Sequence, residues 1–147
     1  MSGGCWNYMN DSAASEILGY HIYVGYGLDS DKHEKNYKQV IRDNPLGDPE
    51  ISALVYDVFC LLHSYDWAES GDTDMDAYQK DVEIFKSQWF KKARKDRIKE
   101  MIDISTEKLK EDLYKDLKQK AAVNHEFNDF SASTRYNIHR QSILMTR

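Results

Sequence analysis

The apolar positions of this chain concentrate in one run, from Asp48 to Trp67, and the segments on either side are markedly more polar. Within the run, Ile51, Leu54, Val55, Val58, Leu61, Leu62 and Tyr65 recur at i, i+3, i+4 and i+7, the spacing of a helix with one apolar side. Ala53, Tyr56, Cys60, His63 and Trp67 form a second, less apolar stripe roughly opposite the first. A helix apolar on two sides is normally interior, so the pattern predicts a buried central helix over about 48–70, covered on both faces, with the first stripe as plain core. Asp48 as cap, Pro49 in the first turn and Gly71 with Asp72 at the exit mark its ends.

The flanking segments also read as helical. Asp11 or Ser12 can cap a short helix in SAASEILGYHIYVG, with Ile17, Leu18, His21 and Ile22 on its apolar side. Residues 20–26 are β-branched and aromatic, but no partner strand follows, so helix or irregular structure is expected there. Asp29-Ser30-Asp31 caps a helix to about Asp43, with Tyr37, Val40 and Ile41 inward, and Asn44-Pro45-Leu46-Gly47 is a turn. Beyond the central helix Thr73 is the expected cap of a very long helical pattern. Tyr78, Val82, Phe85, Trp89, Ala93, Ile98, Met101 and Ile102 make one stripe; Leu109, Leu113, Leu117 and Ala121 make another. No Gly or Pro follows Asp72. The stripe loses phase at Asp103–Thr106, which predicts either a break there, with Ser105 capping a new helix, or one helix of more than forty residues. A coiled-coil-like arm or dimer seam and a pair of antiparallel helices both fit, since the repeat is not a strict heptad. The fold expected is all-α: a helical bundle over 1–123 around the central helix, ending in a long charged helix or helix pair. The tail 124–147 would be an arm or a short last helix, with Tyr136, Ile138 or His139, Ile143 and Leu144 inward.

Composition adds bounds. A chain of 147 residues has room for one domain with a real core, and 3 Trp, 10 Tyr and 5 Phe supply bulky anchors for it. There is no apolar run of membrane-spanning length, and the N-terminus lacks the basic and hydrophobic regions of a signal peptide, so a soluble cytoplasmic protein without membrane partners is expected. Cys5 and Cys60 make no disulfide framework. The net charge of −5 hides an asymmetry: residues 1–74 carry 4 Lys/Arg against 13 Asp/Glu, and residues 75–147 carry 16 against 12. The halves, at −9 and +4, can attract each other head to tail between copies or offer one acidic and one basic surface to a partner.

Three constellations could carry chemistry. Cys60 and His63 lie three apart on the second face of the central helix, with Asp66 three further on. Such an i, i+3 pair is how a helix presents two ligands to zinc, and Cys5 or His21 would complete the set. The alternative is a core thiol and a hydrogen-bonded core histidine, and no CxxC or HExxH accompanies them. In the basic run from Lys86 to Lys99, Trp89 and Phe90 stand among Lys91, Lys92, Arg94, Lys95, Arg97 and Lys99, a pairing of cations and rings suited to nucleic acid. Asp96 and Glu100 interrupt it, the two rings are better explained as core, and a solvated helix face is the favoured reading. Glu69, Asp72, Asp74 and Asp76 form an acidic loop that lacks the glycine and terminal Glu of an EF-hand, but that could imitate nucleic-acid phosphate to a basic protein. Neither a Gly-rich phosphate loop nor a GxSxG nucleophile is present, so no enzyme is expected.

Two stretches carry a resemblance. The opening Met1-Ser2-Gly3-Gly4-Cys5-Trp6-Asn7-Tyr8 and the segment His63–Asp72, HSYDWAESGD, followed by a helix ending in KSQWF, resemble small proteins from phages and prophages of Gram-positive bacteria that open MSGG, an aromatic, Asn, Tyr. The similarity covers the octet and roughly residues 50–92, not the long charged helix or the tail. It implies a phage source more than an activity. Phage accessory proteins of this size and acidity are often inhibitors of host defence, and anti-CRISPR proteins that bind a type II effector nuclease are similar in size and charge, a similarity of kind and not of motif. The function expected is inhibition of a host defence nuclease by blocking nucleic-acid loading or cleavage. Contact would be through Glu69, Asp72, Asp74 and Asp76, or through Lys91, Lys92, Arg94, Lys95 and Arg97 if the partner surface is acidic. The alternatives are nucleic-acid binding by helix 86–99 and a structural dimerisation module.

Overall fold

Asp48 holds extended backbone and its carboxylate accepts the Ile51 N–H at 3.0 Å, so the central helix α3 starts at Pro49 and runs to Glu69, as the sequence pattern predicts. The computed structural model describes residues 6–127, all helix or irregular structure with no strand among them. Helix α1 spans Met9–Leu18, α2 Asp31–Asp43, α4 Met75–Lys86 and α5 Arg94–Phe127, and a π-helical turn, Ser87–Lys91, follows α4. Helices α1, α2 and α4 all pack on α3. The fold is all-α. The expected tail structure lies largely outside the described residues, as does Cys5.

The caps show why the elements begin where they do. Ser30 accepts the Lys32 N–H to start α2, whose Tyr37, Val40 and Ile41 are buried as expected. Helix α4 is capped by Asp74, which accepts the Asp76 N–H at 3.1 Å, and not by Thr73. Helix α1 begins before either expected cap: Tyr8 takes a left-handed conformation (φ 63°) with no side-chain cap, and its ring packs edge-on against Trp67. Residues 20–26 are irregular, and Ile22 and Val24 pass from them into the core.

The sequence places the break in the long C-terminal pattern in the wrong position. Asp103–Thr106 is continuous helix, and the interruption comes at Lys92–Ala93, after the π turn in which Lys92 N–H donates to the Ser87 carbonyl. Trp89 explains the shift. Its indole Nε1 donates to Asp57 Oδ2 on α3 at 2.8 Å, and Arg97 then closes the junction, donating to the carbonyls of Gln88, Trp89 and Lys92 while lying 5.0 Å over the Trp89 ring. Carbonyls left open by the turn are thereby satisfied without Gly or Pro, which is why no breaker marks the site. Phe90, expected in the core beside Trp89, is 74% exposed, because consecutive helical side chains point in different directions and Trp89 takes the inward one.

Helix α5 contributes the buried Met101 and Ile104 to the core, and the first compact unit ends at Thr106. From Glu107 the helix forms a second unit, in which the described side chains from Leu109 to Ala122 are exposed, Leu109, Leu113 and Leu117 each by more than half.

Trp89→Phe keeps an aromatic ring, smaller than the indole, and deletes the donor, leaving a buried carboxylate oxygen without its partner. Urea unfolding should show a loss of about 1–3 kcal/mol, whereas Phe90→Ala should stay within about 0.5 kcal/mol of the parent.

Candidate partner-binding face

The orientation of α3 reverses the sequence expectation. Part of the stripe read as plain core faces outward: Ile51 is 47% exposed, Val58 37%, Leu62 38% and Tyr65 37%, while Leu54, Val55 and Leu61 are half-buried and Leu54 and Val55 pack on the core. The less apolar stripe is inside, where Ala53, Tyr56, Cys60 and His63 are buried together with Ser52, Asp57 and Asp66. Apolar area alone would favour the opposite rotation, since burying one aliphatic side chain fully is worth roughly 1.5–3 kcal/mol. Four of the inward polar groups, however, meet partners outside the helix, the buried Tyr56 hydroxyl being the exception. Asp57 accepts from His33 Nε2 and Trp89 Nε1, both at 2.8 Å. His63 Nδ1 pairs with Asp11 Oδ1 at 2.8 Å and its ring stacks on Trp67; Asp66 Oδ1 accepts the Trp6 N–H; Ser52 Oγ joins Asn44 and the Leu46 N–H. Turning the helix would strand these partners, and a buried charge without its mate costs several kcal/mol. The network therefore fixes which face looks out.

Ile51, Val55, Val58, Leu62 and Tyr65 alternate spacings of four and three, the a/d seam of a coiled coil, over roughly 21 Å of helix. Helix α3 contains no Lys or Arg. The seam runs directly into the acidic turn, where Gly71 (φ 80°) reverses the chain and the N–H groups of Asp72 and Thr73 both donate to the Trp67 carbonyl. Ser70 Oγ donates to Asp72 Oδ2 at 2.7 Å. Glu69, Asp72, Asp74 and Asp76 are all exposed, so a hydrogen-bonded turn places carboxylates at the end of an apolar ridge.

The other predicted site residues fare differently. Arg97 is buried, so it pins the π turn and is no surface contact. Arg94 makes a two-pronged pair with Glu50, Lys92 pairs with Glu100 at 2.8 Å and Lys91 lies 3.8 Å from Glu83, while Lys95 is exposed. Much of the basic run is thus engaged within the fold. Cys60, His63 and Asp66 are not gathered around a common point: His63 and Asp66 hold Asp11 and the Trp6 amide, and among the described residues no group of three or more His, Cys, Asp and Glu is placed to hold a metal. His21, the other proposed ligand, pairs with Asp43 at 2.8 Å. Trp6 and Tyr8 pack against Tyr65 and Trp67.

Asp57 and Asp81 are the structural residues that sequence reading passed over, and Asp11, read as a helix cap, pairs with His63 instead. An acid inside the apolar run, between Tyr56 and Val58, was the available signal for Asp57. No protein-family model matches the chain, and no curated protein or solved structure shows significant similarity to it. Among the described residues no helix is long and apolar enough to cross a membrane.

Burial and the neighbouring Asp57 carboxylate push the Cys60 thiol well above its ordinary pKa, leaving no thiolate at neutral pH. In a Cys5→Ser background, Cys60 should resist a chromogenic disulfide reagent at pH 8 and react stoichiometrically once denaturant is added.

Proposed function

We propose that the protein acts by binding another protein rather than by catalysis, through the outward face of α3 and the acidic turn that follows it. One observation carries the reading: Ile51, Val58, Leu62 and Tyr65 of the chain's most apolar stripe stay partly exposed, and the helix that carries them leads to exposed carboxylates. Contiguous apolar surface on a soluble fold marks an interaction site, and an i, i+4, i+7 ridge suits a groove on a partner. The acidic end selects a partner with cations beside that groove, which is the surface a nuclease offers to nucleic acid. With the phage-protein resemblance, this favours a phage-encoded inhibitor of a host defence nuclease, an anti-CRISPR protein acting on a type II effector, that competes with nucleic-acid loading.

A pulldown against the effector, paired with a DNA-cleavage assay, tests it. Val58→Glu with Leu62→Glu should abolish capture and restore cleavage while the melting temperature stays near that of the parent. Asp72→Asn with Asp76→Asn should slow association and flatten its salt dependence. Normal cleavage at saturating protein would overturn the nuclease reading.

The exposed Leu109, Leu113 and Leu117 favour a second reading, self-association through residues 107–122. Light scattering should then report a dimer that Leu113→Glu converts to monomer.

A further inference from the structure

On the inner side of α3 a cavity of about 340 Å³ opens between the 23–27 loop, α3 and the start of α4. Its composition is unusual for a void in a small helical fold. Tyr23, Tyr26, His63 and Trp67 bring four rings to it, the buried Asp81 brings a carboxylate, and no Lys or Arg is among its lining residues. The rings are packed against one another: Tyr23 meets Tyr26 edge-on at 5.0 Å and His63 at 6.0 Å, and His63 stacks on Trp67 at 5.2 Å. Asp81 is held by the Leu28 N–H on Oδ1 at 3.1 Å. Gly25 is required for this arrangement, because a Cβ there would stand 2.2 Å from the Tyr23 hydroxyl that folds over it.

Aromatic walls around a fixed carboxylate make an environment for a weakly hydrated organic cation. Ring faces attract the charge, the carboxylate neutralises it, and apolar contact takes up the alkyl groups. Tyr26 already receives the Lys32 ammonium 5.5 Å from its ring centre, so such a contact exists at the rim. The −9 charge of residues 1–74, which supply most of the lining, raises the local concentration of cations. We infer that this cavity is a binding site for an alkylammonium group, with Tyr23, Tyr26 and Trp67 as its cage and Asp81 as its anion. The site lies on the opposite side of α3 from the ridge and stands independently of the partner-binding reading.

Titration calorimetry on the full chain, with choline and its neutral isostere 3,3-dimethyl-1-butanol, separates charge from shape. Choline should bind and the isostere should bind at least about tenfold more weakly, the ratio that cation–π and carboxylate contacts supply together. Asp81→Asn, whose amide oxygen can still accept the Leu28 N–H, should weaken choline by a similar factor. Tyr26→Leu provides the same reading should Asp81→Asn not fold. A trimethyllysine peptide titrated in parallel identifies the source: tighter binding than choline points to a side chain on a protein, weaker binding to a free small molecule. Equal affinity for choline and the isostere, no heat from either, or unchanged choline binding in both variants would overturn the assignment.

Discussion

The fold hangs on one buried carboxylate. Asp57 sits in the middle of the most apolar helix, with His33 of α2 on one oxygen and Trp89 of the π turn on the other. Without both donors it would be a buried charge with no compensation, costing several kcal/mol, so each of the three segments stabilises the others. Dependencies spread outward from that point. Trp89 reaches Asp57 from a turn with an extra residue, and Arg97 collects carbonyls that the turn leaves open. Arg97 and Arg94 in turn approach Glu50 at the start of α3, so the beginning of α5 is tied to the helix on which Asp57 stands.

That chain of constraints decides what α3 can show to solvent. Polar contacts in the interior are directional, and each of Asp57, His63 and Asp66 has its mate on a different element. Apolar contact is non-directional and would accept several rotations of the helix. When the two compete the directional contacts fix the angle, and the apolar stripe takes whatever side remains. A stripe left partly exposed for this reason forgoes part of its burial energy, which the proposed partner would restore.

The sequence was most legible where local chemistry is decisive. Asp48 and Pro49, Ser30, and the inward trio Tyr37, Val40 and Ile41 announce α2 and α3 with nothing but neighbours a few residues away. It was least legible where a distant residue overrides the local pattern. Periodicity could count the two stripes of α3 but not rank them, because their ranking depends on Asp11, His33 and Trp89, up to 52 positions away. The break at Lys92–Ala93 escaped for the same reason: a guanidinium five residues along the chain does the work that a glycine would advertise. For the candidate site, the acidic turn was visible as composition. The apolar ridge beside it was visible too, but was assigned to the core.

The charge split is partly consumed inside the fold. Glu50 and Asp29, from the acidic half, hold Arg94 and Lys80 from the basic half. Exposed pairs of this sort are worth little as stability, typically under about 1 kcal/mol each. The consequence of the Glu50 pair is spatial, since it neutralises the start of α3 and leaves the carboxylates of the 69–76 turn to shape the field at its far end. On the proposed reading, ridge and field would divide the labour of recognition. Long-range attraction to the turn would govern how often a basic partner arrives in the right orientation, and burial of Val58, Leu62 and Tyr65 how long it stays. Each property is weak alone: an acidic turn without the ridge would bind any cationic surface and release it quickly, and a ridge without the turn would find its groove slowly. Their adjacency follows from the sequence itself, because the helix that carries the one runs without interruption into the other.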